Sequence, residues 1–76
     1  MNFKIKFLVK DLGKTYQETF DMPFIPQKGM LVDMRNNAKN MSGHLRDTWY
    51  DLFTVDSVTI YPGEETIDVL LNEKES

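Results

Sequence analysis

The sequence predicts a small all-β domain of five strands around a single core. Three observations lead there. Apolar residues alternate with polar ones in several separate stretches, which is the period of a half-buried strand. Gly- and Pro-containing segments separate these stretches and turn the chain instead of continuing a ladder. Finally, 76 residues make one domain, because a chain of this size buries only about 60% of the surface it exposes when unfolded.

The first strand covers residues 3–10, with Phe3, Ile5, Phe7 and Val9 on one face and Lys4, Lys6, Leu8 and Lys10 on the other. Asp11-Leu12-Gly13-Lys14 then supplies turn chemistry, since Asp bonds the backbone ahead of it and Gly accepts positive φ. Residues 15–22 alternate again, with Tyr16, Phe20 and Met22 sharing a face that Glu18 interrupts. The two stretches read as a hairpin. Pro23-Phe24-Ile25-Pro26 cannot extend it, because two prolines remove ladder donors. A third strand is expected over 30–34, with Met30, Val32 and Met34 inward. The Pro-Phe-Ile-Pro spacing also has the PxxP form that polyproline-binding domains accept, although one such spacing in a loop is weakly specific.

Residues 35–51 form a connection longer than the others, with room for one short helix. Ala38, Met41, Leu45, Trp49 and Leu52 fall at helical spacing, but Gly43 interrupts the stripe at a cost of about 1 kcal/mol relative to Ala. A short helix over 43–50 with Ser42 at its N-cap is the alternative. The strand signal returns over 52–61. Phe53 and Val55 share a face, as do Val58 and Ile60, and the odd step between the pairs predicts a β-bulge at Asp56-Ser57. Tyr61-Pro62-Gly63-Glu64 fits a type II turn. The last strand covers 66–72, with Ile67, Val69 and Leu71 inward. The domain is thus expected to span 1–72, with 73–76 a frayed polar end.

This succession of hairpin, proline-glycine turn, short strand, long connection, bulged strand and tight final hairpin resembles a small SH3-like barrel in architecture. A strongly curved antiparallel sheet is the equivalent expectation without closure. The resemblance is one of strand pattern, so it implies no functional residues.

Composition narrows the function classes. Without cysteine there is neither a disulfide framework nor a thiolate metal site. No apolar run approaches the roughly 20 residues of a membrane span, and lysine alternating with apolar residues at the start is unlike a signal peptide. A soluble, cytoplasmic protein without a membrane partner is expected. Residues 1–40 carry seven Lys and Arg against four Asp and Glu, whereas 41–76 carry two against eight. Basic and acidic strands paired across a sheet would explain that asymmetry, and a dipolar surface that orients a partner is the alternative.

No constellation points to catalysis, a cofactor or a metal. Ser42, His44 and Asp47 supply a nucleophile, a base and an orienting group, but such sets are assembled from distant segments around a pocket. The glycines are isolated, so no phosphate-cradling loop is present. The expected function is therefore a non-catalytic interaction module that binds a protein partner or forms a homo-oligomer. Trp49 and Tyr50, with His44 beside them, are the expected contact residues, because large amphipathic side chains dominate interface energetics. The same stripe would otherwise serve as a lid on the core. The second reading is a nucleic-acid-binding small barrel that uses an outward stripe of Lys4, Lys6 and Lys10, with Lys14 just past the turn as a further contact, and an acidic pI near 4.9 weighs against it.

Overall fold

The chain reverses between Asp11 and Lys14 through two residues, Leu12 (φ 52°) and Gly13 (φ 79°). Positive φ at both central positions is the condition for a type I′ turn, whose twist matches that of the flanking strands. The computed structural model describes residues 1–73. Its elements are β1 (Phe3–Asp11), β2 (Lys14–Met22), β3 (Leu31–Asp33), α1 (Arg35–Ala38), α2 (Gly43–Trp49), β4 (Leu52–Ile60) and β5 (Thr66–Glu73). The five strands form one sheet in the order β2-β1-β5-β4-β3, which curls into a half-barrel around the core. The expected strands are thus present. β5 continues through Glu73, which pairs with Phe53. The rest of the expected frayed end, residues 74–76, lies outside the described residues.

The sheet is mixed, not wholly antiparallel. β1 and β5 run parallel, with Ile5 beside Ile67, Phe7 beside Val69 and Val9 beside Leu71, while the other three ladders are antiparallel. The cause is the route of the chain. After the β1–β2 hairpin, residues 23–30 carry it to the far edge of the sheet. β3, β4 and β5 then return strand by strand until β5 lies beside β1 in the same direction. The crossing segment is held from inside: Pro26 is fully buried and Ile25 packs against the core. A buried Pro26 cannot be offered to a polyproline-binding partner, so the PxxP spacing has a structural role. Pairing with β4 begins before β3, since Gly29 N–H donates to Val55 O (2.9 Å) and Val55 N–H donates to Met30 O (3.0 Å).

The bulge lies where the odd hydrophobic step placed it. Val55 pairs with Leu71 and Ser57 with Leu70, leaving Asp56 as the extra residue. Val55 is buried, and Val58 packs against the same core. Glu64 N–H donates to Tyr61 O (3.0 Å) and Gly63 has φ 89°, as a type II turn requires.

Two expected core residues are exposed. Ile60 retains 61% of its surface because β3 pairs only with residues 52–54, which leaves the far end of β4 with β5 alone beside it. Met30 sits at the entry to β3 and is 37% exposed. Their place is taken from residues 35–51. The helical stripe cannot be one continuous helix, because Gly43 adopts φ 59° and restarts the chain as α2. Ser42 occupies the N-cap with extended backbone but makes no side-chain cap bond. The two short helices cover the concave face of the sheet. Met34, Ala38 and Trp49 join Ile5, Phe7, Val9, Phe53, Val55, Val69 and Leu71 in the core, with Met41 packed against them. Trp49 meets Phe53 edge-on at 6.0 Å between ring centroids, a favoured aromatic geometry. No helix among the described residues is long and apolar enough to cross a membrane.

Candidate interaction site

Trp49 is fully buried, so it cannot be the exposed anchor of a contact surface. The sequence placed it on an apolar stripe, and the restart of the helix at Gly43 turns that position toward the sheet, where a lid residue belongs. The connection nevertheless presents Tyr50, half-exposed just past the end of α2. Tyr50 shares a shallow concavity of about 490 Å³ with Lys39, Arg46 and Asp47. It is broad and open, and its charged side chains are exposed.

His44 is also exposed, and its Nε2 shares a 2.8 Å hydrogen bond with Tyr16 Oη. The rings stack edge-on. This contact ties α2 to the edge strand β2 and gives His44 a partner outside the Ser42–Asp47 cluster. Thr48, buried on the same helix, donates from Oγ1 to Asp11 Oδ2 (3.4 Å). His44 and Thr48 therefore fasten the lid to the β1–β2 hairpin.

Lys4, Lys6 and Lys10 face the convex side of the sheet, whereas Lys14, the ladder partner of Asp11, falls on the opposite face with Tyr16 and Glu18. Lys4 Nζ lies 3.7 Å from Glu65 and Lys6 Nζ lies 3.9 Å from Asp68, the latter its direct neighbour across the parallel ladder. Basic β1 thus meets the acidic C-terminal hairpin, the pairing that explains the charge asymmetry without a partner. Lys10 and Lys14 have no ion-pair partner among the described residues. With Lys4 and Lys6 beside carboxylates, the convex face carries both signs of charge instead of a continuous basic track.

Curling without closure creates a feature that the sequence reading did not find. β2 and β3 are the two ends of the strand order and do not pair. Between their ends lies a cleft of about 330 Å³. Phe7 and Met34 form its buried floor, Phe20, Met22 and Val32 its half-buried walls, and Asp21 and Asp33 its exposed rim. Asp33 is held by Arg35: the Arg35 backbone N–H and Nε donate to Oδ1 (both 3.0 Å) and Nη2 donates to Oδ2 (2.9 Å). These bonds favour the ionised carboxylate and lower its pKa to about 2. Glu18, which interrupts the inward face of β2, lies on that strand beyond the residues that line the cleft.

Comparisons with protein-family models, curated proteins and solved structures find no match.

Proposed function

We propose that the chain is a small, non-catalytic, cytoplasmic interaction module that receives an extended segment of a protein partner along the seam between β2 and β3. The observation that carries the reading is an apolar cleft bordered by the unpaired edges of two strands. An extended peptide added to a sheet edge gains affinity from main-chain hydrogen bonds and specificity from alternate side chains in pockets. β2 offers nine residues of such edge, and the cleft beside it receives side chains from one face. Exposed strand edges are otherwise a liability that folds tend to cover, so a long edge next to apolar surface favours an interface.

The test begins with peptides selected from a random displayed library against the immobilised protein. Each selected peptide is then added to isotope-labelled protein and followed by NMR. Amide shifts gathered in 15–22 and 31–33 are expected. Failure to select any peptide, or shifts gathered around Tyr50, Lys39 and Arg46, would overturn the seam as the site. Sedimentation at rising protein concentration then separates a second copy of this chain from a different partner as the source of the segment.

A further inference from the structure

The geometry points to a partner segment of defined chemistry: two apolar side chains at alternate positions followed, two residues on, by a basic one that meets Glu18. This inference rests on the seam being the docking site. Glu18 is half-buried on the inward face of β2, between Tyr16 and Phe20. Its cross-strand neighbour on β1 is Phe7, and the lysines of β1 lie on the opposite face. The ion pairs among the described residues are Lys4–Glu65, Lys6–Asp68 and Asp33–Arg35, so Glu18 is left without a cation. A partly desolvated carboxylate gains most from an incoming positive charge, because attraction strengthens as water is displaced.

At the cleft rim Asp33 is already paired with Arg35, and Asp21 is the lining carboxylate without an ion pair among the described residues. A strand laid antiparallel to β2, the slightly more stable pairing, presents alternate side chains to Met22, then Phe20, then Glu18. Apolar, apolar, basic is the matching order, with the intervening residues facing outward.

Glu18 has one competing role. An inward-pointing charge on an edge strand discourages edge-to-edge aggregation, and that role needs no partner. Fluorescence anisotropy of labelled acetyl-Thr-Ile-Thr-Val-Thr-Lys-Thr-amide, beside versions with Gln or Glu replacing Lys, separates the two, with NMR on the same samples locating the peptide. The Lys peptide is expected to bind about fivefold more tightly than the Glu peptide, as a cross-strand charge pair of about 1 kcal/mol implies. Glu18→Gln should level the three affinities, and Glu18→Lys should reverse their order. Equal affinities with shifts still at 15–22 would overturn the basic preference while leaving the seam as the site. A Lys preference that survives Glu18→Gln would overturn the assignment to Glu18. Larger species of Glu18→Gln on a sizing column, with peptide preference unchanged, would make Glu18 a guard against aggregation and sink the proposal. Absence of seam shifts with all three peptides at millimolar concentration would instead remove the docking site on which the inference rests.

Discussion

At the scale of single residues, Trp49 decides how residues 35–51 are understood. Its ring fills the space between lid and sheet, so Trp49→Ala should lose about 3–5 kcal/mol, measured by urea unfolding. Its Nε1 has no hydrogen-bond partner among the described residues, and leaving such a donor buried costs about 1–3 kcal/mol. Trp49→Phe removes that donor along with part of the ring, so its loss should be much smaller than that of the Ala variant. Equal losses would mean that the cost does not follow the volume removed, and would overturn the space-filling role of the ring. The sequence showed that Trp49 shares a stripe with Ala38 and Met41 but not which way the stripe turns, because Gly43 resets the helical phase between them. Asp33 gives a second residue-level prediction. Its carboxyl titrates at about 2 in the folded chain, held down by hydrogen bonds from Arg35, against about 3.9 when unfolded. A lowered folded pKa contributes stability that is fully present above pH 4 and is lost as pH falls toward 2. Carbon-13 NMR should find the low midpoint, and Arg35→Gln should raise it only part of the way, because the backbone N–H of residue 35 still donates to Asp33.

At the scale of elements, the β1–β2 turn and the bulge in β4 behave differently from their neighbours. Leu12 adopts φ 52°, a region that costs most L-residues about 1–2 kcal/mol, and its side chain is almost wholly exposed. Leu12→Asn converts the turn to Asn-Gly, the pair that type I′ geometry favours. Its melting temperature should rise by about 4–8 °C, the shift of about 1 kcal/mol in a domain of this size. In β4 the pairs on either side of Asp56 differ in register by one residue. Deleting Asp56 therefore leaves every cross-strand pair from Phe53–Glu73 to Ile60–Ile67 available, and the shortened chain should fold with β4 continuous. Deleting Thr54 is the control. It makes Phe53 and Val55 adjacent, sends one of two buried side chains to the solvent face, and should abolish cooperative unfolding. The bulge was legible because hydrophobic parity is a local signal. The exposure of Ile60 was not, since it depends on how far a different strand extends.

At the scale of the whole molecule, β5 joins two halves that no other ladder connects. The β1–β2 hairpin lies on one side of it, and β4 with β3 on the other. Alternation within strands revealed each half, but the parallel β1–β5 ladder and the unclosed seam follow from which edge the chain reaches after Met22. A hydrophobic period of two carries no information about strand neighbours, which is why Glu18 showed only as an irregularity and the cleft did not show at all. The last strand also delays completion of the sheet. Residues 4–9 pair with 66–71, and contacts so distant in sequence slow folding. Removing residues 66–76 exposes the inner edges of β1 and β4 and takes Val69 and Leu71 from the core, each of which contributes about 1.5–3 kcal/mol when buried. That loss is comparable to the whole stability of a marginal domain, about 5–15 kcal/mol. A chain ending at Glu65 should thus show neither a cooperative melt nor dispersed amide resonances. A synthetic peptide of residues 66–73 added in trans should restore both and return Trp49 to an apolar environment, visible as a blue shift of its emission. If the shortened chain instead melts cooperatively without the peptide, the lid alone holds the halves together and β5 is an accessory strand.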